Sequence, residues 1–78
     1  MTIYLIKNKA TKQQISEMLA TLQTYIKLAV DVERQVLAGG GELHADCEAI
    51  LLRDGSKQEN IWGANWLPKD KALKSANL

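Results

Sequence analysis

Apolar and polar residues first alternate and then recur at helical spacing in the first third of the chain. Residues 3–6, Ile-Tyr-Leu-Ile, form a short β-prone run. Thr11 and Gln14 then match the Thr-x-x-Gln capping box that starts a helix. The apolar residues that follow recur at the spacing of one helix face. The pattern predicts a short strand and an amphipathic helix over residues 12–23, with an apolar face made of Ile15, Met18, Leu19 and Leu22.

The segment from residue 24 to residue 38 supports two interpretations. Apolar residues alternate with polar or small ones over residues 26–33, which is typical of a half-buried strand. Alternatively, the first helix continues to a glycine cap at Gly39. Such a helix of about 27 residues is long for so small a protein and turns Glu33 toward the core. The strand is the favoured interpretation, with residues 36–38 returning beside it.

Alternation resumes in the second half of the chain after three consecutive glycines, Gly39 to Gly41. Residues 42–53 place small and apolar side chains on one face and polar ones on the other, which predicts a long strand. Asp-Gly at positions 54 and 55 is a strong hairpin signal, and its partner strand is expected over about residues 58–66. Pro68, which has no N–H to donate, is expected to end the sheet. Residues 69–78 are expected to form a loosely ordered tail.

These patterns together predict the fold class. The chain of 78 residues is expected to be a single α+β domain over residues 1–78. Its N-terminal amphipathic helix packs on a small, mainly antiparallel sheet, with a hairpin turn at Asp54-Gly55.

Composition narrows the classes of partner and compartment. Ten Lys and Arg residues balance nine Asp and Glu residues, so no broad positive field attracts nucleic acid, which is not an expected partner. No apolar run approaches the roughly 20 residues that span a bilayer, so no membrane association is expected. Cys47 is the only cysteine, which excludes a disulfide within the chain and favours a reducing, cytoplasmic location.

Four short motifs stand out in the chain: Val-Asp-Val-Glu-Arg at 30–34, Gly-Gly-Glu-Leu-His-Ala-Asp at 40–46, Asp-Gly-Ser at 54–56 and Trp-Gly-Ala-Asn at 62–65. Together they resemble the motifs of a family of small bacterial and archaeal proteins of unknown function. The resemblance covers about residues 26–68, implies an α+β fold and transfers no activity. The chain departs from that pattern because it lacks the Asn-x-Arg-Pro stretch and the closing helix, and this departure is expected to leave a sheet edge uncovered.

The densest group of polar side chains alternates along the strand predicted over residues 42–53. Residues two apart on a strand lie on one face, about 6.6 Å from each other. His44 and Asp46 can therefore share a metal ion, for which zinc or manganese suits the ligand set, or Asp46 can orient the imidazole for acid–base catalysis. The competing and favoured interpretation is a solvated sheet face. The four residues of the group are Glu42, His44, Asp46 and Glu48.

Two further pairs are candidate binding residues. Asp31 and Glu33 join the same polar face if the strand over residues 26–33 pairs alongside it. Trp62 and Trp66 share a strand face and can stack on a ligand, anchor an interface or fill the core. Core or interface packing is favoured because no basic stripe accompanies them.

The sequence establishes no reaction, and no cofactor is evident. The favoured hypothesis is a non-enzymatic binding or self-assembling module, because a thin core and exposed strand edges favour a homo-oligomer. We expect the contact at a sheet edge or at the tryptophan face. The alternative hypothesis is a small metal-assisted or acid–base enzyme centred on His44 and Asp46.

Overall fold

The computed structural model describes residues 2–76. The described residues form one five-stranded sheet and two α-helices, which confirms the α+β class. In chain order the elements are β1 (Tyr4–Ile6), α1 (Lys12–Leu22), β2 (Ile26–Asp31), β3 (Val36–Gly39), α2 (His44–Arg53), a 3₁₀ turn (Gln58–Asn60), β4 (Ile61–Leu67) and β5 (Ala72–Ala76).

The sheet has the strand order β1-β3-β2-β4-β5, and every neighbouring pair is antiparallel. The central strand β2 pairs with β3 through a short hairpin. On its other side it pairs with β4 over its whole length, from Ile26 opposite Trp66 to Asp31 opposite Ile61. The strands β1 and β5 are the two edges of the described sheet.

The first helix and the strand after it confirm the sequence interpretation. Thr11 Oγ1 accepts from the backbone N–H of Gln14 at 3.1 Å, and Gln14 Oε1 accepts from the Thr11 N–H at 2.9 Å, which completes the capping box. The helix ends at Gln23, whose φ of 68° turns the chain into β2. The strand interpretation is therefore confirmed over residues 26–31, whereas residues 32 and 33 of the predicted strand lie in the turn that follows it.

The two helices cover opposite faces of the sheet. Helix α1 packs through Met18 on a buried cluster that contains Ile26, Leu28 and Ala64. Helix α2 packs through Cys47 and Leu51 on the other face, whose buried residues are Ala29, Val36, Ala38 and Ile61. The core is consequently two thin apolar layers, one on each side of the sheet.

The prediction of a strand over residues 42–53 is wrong, because residues 44–53 form helix α2. Cys47 and Leu51 are four residues apart, with Ile50 packed beside them, and this helical spacing supplies the buried face. The period-two pattern was produced partly by alanines, which fit either face, and Leu43 at the start of that pattern is exposed. Alanine, leucine and glutamate also have high helix propensity.

The prediction of a hairpin turn at Asp54-Gly55 is wrong as well. Asp54 is the C-cap of α2, and Gly55, with φ +104°, ends the helix. The N–H of Gly55 donates to the Leu52 carbonyl at 3.2 Å and that of Ser56 to the Leu51 carbonyl at 2.9 Å, which is a Schellman motif. Of the predicted partner segment, residues 58–60 form the 3₁₀ turn and residues 61–66 belong to β4, which pairs with β2 and β5.

The loosely ordered tail predicted from residue 69 contains a strand, because residues 72–76 form β5. Pro68 follows the end of β4 but does not end the sheet, because it occupies the second position of a turn that leads into β5, where its fixed φ is favourable. In that turn the Asp70 N–H donates to the Leu67 carbonyl at 3.1 Å, and Lys71 has a φ of 49°. The chain then returns beside β4. Residues 77 and 78 of the expected tail lie outside the described residues.

Candidate functional site

The four polar residues of the group that contains His44 do not all share one face in the structure. His44 and Asp46 lie two residues apart on α2, so their side chains point about 200° apart around the helix axis. Glu48 lies one helical turn from His44, on the same side. Glu42 precedes the helix and lines a separate cavity of about 280 Å³ with Glu17. The pairing of His44 with Asp46 that a strand would give is not formed.

His44 connects the start of α2 to strand β4. Its half-buried ring places Nε2 at 3.1 Å from the Ala64 carbonyl oxygen and at 3.0 Å from Asn65 Oδ1. Both neighbours are acceptors, so we assign the proton to Nε2, which donates to the pair. The side chain thereby joins two of the motifs quoted above, the one around His44 and the one that ends at Asn65.

No group of three or more His, Cys, Asp and Glu side chains within residues 2–76 is placed to hold a metal ion. A protein zinc site needs three or four such ligands. The zinc or manganese site at His44 and Asp46, like the acid–base site there, stays a prediction. The thiol of Cys47 is buried and lies 3.5 Å from the Lys27 carbonyl oxygen, and burial raises its pKa.

Asp31 forms the turn between β2 and β3 instead of joining His44. Its carboxylate is fully buried, and Oδ1 accepts from the backbone N–H groups of Glu33 at 3.0 Å and Arg34 at 2.9 Å. The hydrogen bond from the Arg34 backbone holds the pKa of Asp31 below its usual value, with a further contribution from the Ser56 hydroxyl. Glu33 is exposed in the bend.

The distance along β4 keeps Asp31 away from His44. Asp31 lies opposite Ile61, whereas His44 bonds Asn65, which is four residues, or about 13 Å, further along that strand. Asp31 and His44 are therefore held at different ends of the sheet region that β2 and β4 form.

An ion-pair network lies next to Asp31. Arg34 donates from Nη1 to Ser56 Oγ at 2.8 Å and from Nη2 to Asp54 Oδ2 at 2.7 Å, while Lys7 Nζ lies 3.5 Å from the same Asp54 oxygen. The Arg34 hydrogen bond holds the pKa of Asp54 below its usual value. The sequence indicated no role for Arg34 or Ser56 and placed Asp54 only in a hairpin turn, although all three belong to the motifs that carry the family resemblance.

The two tryptophans share one face of the sheet, as the sequence predicted, and they lie on the side covered by α1. Trp66 is half-buried and packs against the α1 cluster. Trp62 lies opposite Val30 and is 60% exposed. One helix about 10 Å wide covers roughly two strands of a sheet whose five strands span about 24 Å. Within residues 2–76, nothing therefore covers the β4–β5 side of this face.

We call this uncovered surface the open face and define it by Val30, Val32, Trp62 and Leu73. These residues line one cavity of about 380 Å³ above the sheet. Val32 is 55% and Leu73 58% exposed. Leu73 also lines the adjoining apolar cavity of about 320 Å³ that extends toward α1. Neither Val32 nor Leu73 was among the candidate binding residues predicted from the sequence. Leu73 shows no strand pattern in the sequence because it lies among the lysines of the expected tail.

Neither of the helices in the described part of the chain has the length and apolar character that crossing a membrane requires. Among models of protein families, one matches residues 4–77, and its description is "Protein of unknown function (DUF5674)". Searches of the curated proteins and of the solved structures found no match.

Proposed function

The chain belongs to the DUF5674 family of proteins of unknown function, and we propose that it is a non-enzymatic binding module that self-associates through the open face. The observation that carries this proposal is the contiguous exposure of Val32, Trp62 and Leu73 on one side of the sheet. Large apolar side chains scattered singly over a surface need no explanation, but a contiguous patch does.

The size of the patch supports an interaction role. Three large side chains that are each more than half exposed present apolar surface on the order of 300 Å², the size at which a patch on a small protein often marks a contact. Trp62 is suited to anchor such a contact, because tryptophan offers a large rigid area and is enriched among residues that dominate binding energy.

The cellular location of the protein is part of the same proposal. We place the protein in the reducing cytoplasm of a bacterial or archaeal cell. The support is the single, buried cysteine, which forms no disulfide within the chain, together with the motifs quoted above.

The test is sedimentation of the unmodified chain and of two lysine variants. We expect the unmodified chain to be a dimer or larger at about 50 µM, and Trp62→Lys to weaken association at least about tenfold, because a charge then enters the contact. Leu52→Lys is the matched control, since Leu52 is an exposed leucine on α2, away from the open face. It should associate as the unmodified chain does.

Circular dichroism establishes that both variants fold. The proposal is contradicted if the unmodified chain remains a monomer at about 100 µM, because a stable, specific interface gives a dissociation constant below that concentration. It is equally contradicted if Trp62→Lys folds and associates as tightly as Leu52→Lys.

A further inference from the structure

We infer that two copies pack face to face, with the Trp62 side chain of each copy seated in a recess of the other. The recess is the cavity of about 380 Å³ on the open face, whose lining also includes Ala64 and Ser75. This inference rests on the proposed function and specifies how the second copy fits.

The open face carries a projecting side chain next to a recess. Trp62 is 60% exposed, and beside it Ala64 and Ser75 lie opposite each other on β4 and β5 with small side chains. Cavities of about 300–1,000 Å³ accommodate small ligands, so the recess has room for an indole ring. A surface that combines a large projecting side chain with an adjoining recess can complement a second copy of itself under two-fold symmetry.

The first helix determines how the second copy can face this surface. Through Met18, α1 packs on Leu28 of β2 and lies against Gly39 of β3, and a helix about 10 Å in diameter fills the layer above those strands. A two-fold axis across the strands would set the two α1 helices on each other and hold the open faces apart. An axis parallel to β4 sets each α1 beside the other copy's sheet, so the open faces meet at the roughly 10 Å spacing of packed sheets.

The same axis brings each tryptophan to the other copy's recess. When the axis lies between β4 and β5, the strand order reverses across the contact, so β4 of one copy lies over β5 of the other. Ser75 lies opposite Ala64, two residues along β4 from Trp62, which is about 6.6 Å and within reach of an indole ring. Trp62 of each copy therefore packs over small side chains instead of meeting another large one.

The area required for a stable dimer also favours this arrangement. Each partner in a stable complex buries about 800 Å², and the open face, at about 300 Å² of exposed apolar surface, supplies less than half of that. Face-to-face packing also buries the lining of the recess. It further covers the flank of α1 that carries Ile15, which lines the adjoining apolar cavity with Leu73.

Filling the recess tests the inference by sedimentation. We expect Ser75→Trp to raise the dissociation constant at least about tenfold relative to Lys74→Trp, because two tryptophans then compete for one space. Lys74→Trp is the matched control, since Lys74 is the neighbouring exposed residue and lies opposite Asn65 on the α2 side of the sheet. If apolar area alone drove association, Ser75→Trp would strengthen it, so the two explanations predict changes of opposite sign.

Cysteine cross-linking is a second readout, and Ser75→Cys is nearly isosteric with the native residue. Face-to-face packing sets the two Ser75 positions inside the contact, whereas the Lys74 side chains point outward from sheets about 10 Å apart. With a short bismaleimide, we expect Ser75→Cys to form a linked dimer at least about fivefold faster than Lys74→Cys. The native Cys47 does not interfere, because it is buried.

The outcomes separate the two claims. The face-to-face arrangement is overturned, and association through the open face left standing, if the chain associates but Ser75→Trp folds and associates as tightly as Lys74→Trp. The same holds if Ser75→Cys links no faster than Lys74→Cys. A chain that stays monomeric overturns both claims.

Discussion

Two glycines adopt positive φ angles, but only one of them is also confined by its neighbours. Gly40 has φ +103°, and a Cβ added there would collide with the Thr2 carbonyl oxygen and come within 3.0 Å of the Met18 side chain. Gly55 has φ +104°, and nothing lies within 4 Å of its Cβ position. The pair therefore separates backbone strain from steric exclusion.

We expect Gly55→Ala to lower the free energy of unfolding by about 1 kcal/mol, the usual cost of alanine at positive φ. Gly40→Ala should lower it by roughly 2–4 kcal/mol, because a backbone clash adds to the same strain. Urea unfolding of both variants measures the difference. Equal losses would show that the close approach of residue 2 to Gly40 is not part of the native packing.

At the scale of elements, the Arg34 network connects the β2–β3 turn to the end of α2. The Arg34 side chain reaches Asp54 and Ser56 from the turn that Asp31 holds. Two carboxylates, Asp31 and Asp54, have pKa values lowered in the fold. Groups with lowered pKa stabilise the native state fully above their unfolded pKa, near 3.8, and lose that contribution as the pH falls through the folded pKa.

This linkage predicts a change in acid stability when Arg34 is neutralised. In Arg34→Gln the pKa of Asp54 should rise toward its unfolded value, so the free energy of unfolding should fall less steeply below about pH 4 than in the unmodified chain. Near pH 7 the variant should be the less stable of the two, because the ion pair is lost.

The chain provides a matched control in Arg53, its other arginine, which is exposed in the last turn of α2. Arg53→Gln removes the same charge without touching the network. Urea unfolding of the three proteins between about pH 2 and pH 7 decides the matter. If the free energy of unfolding falls as steeply with decreasing pH in Arg34→Gln as in Arg53→Gln, the lowered pKa of Asp54 is not caused by Arg34.

Local signals explain which elements the sequence could predict. The capping box at Thr11 and the β-branched alternation after Ile26 act within a few residues, and both α1 and β2 lie where they indicated. Helix α2 was missed because alanine allows a period of two and a period of 3.6 to fit the same letters. The face that Trp62 and Trp66 share could be predicted from the alternation along β4 alone.

The contacts of His44 and Arg34 and the extent of the open face depend on how the elements pack together, which no local sequence pattern encodes. His44 meets Asn65, 21 positions later, only because α2 packs on that end of β4. Arg34 meets Asp54 only because the β2–β3 turn lies beside the end of α2. The open face likewise depends on how much of the sheet α1 covers, which neither the helix pattern nor the strand patterns specify.

For the whole molecule, the central feature is unequal coverage of the two sheet faces. α2 buries its face through Cys47 and Leu51, both fully buried. α1 leaves the β4–β5 side of the other face exposed, with Trp62 at 60%. We propose that copies of the chain associate through this exposed surface. The fluorescence of Trp62 can therefore report the association.

The most direct measurement is acrylamide quenching of Trp62 fluorescence in Trp66→Phe, which leaves Trp62 as the sole tryptophan. We predict that the quenching constant falls at least about twofold as the concentration rises from about 1 µM to about 100 µM, because the partner covers the indole. Adding Leu73→Lys to the same protein should abolish this dependence. A quenching constant that stays the same over that range would contradict the account.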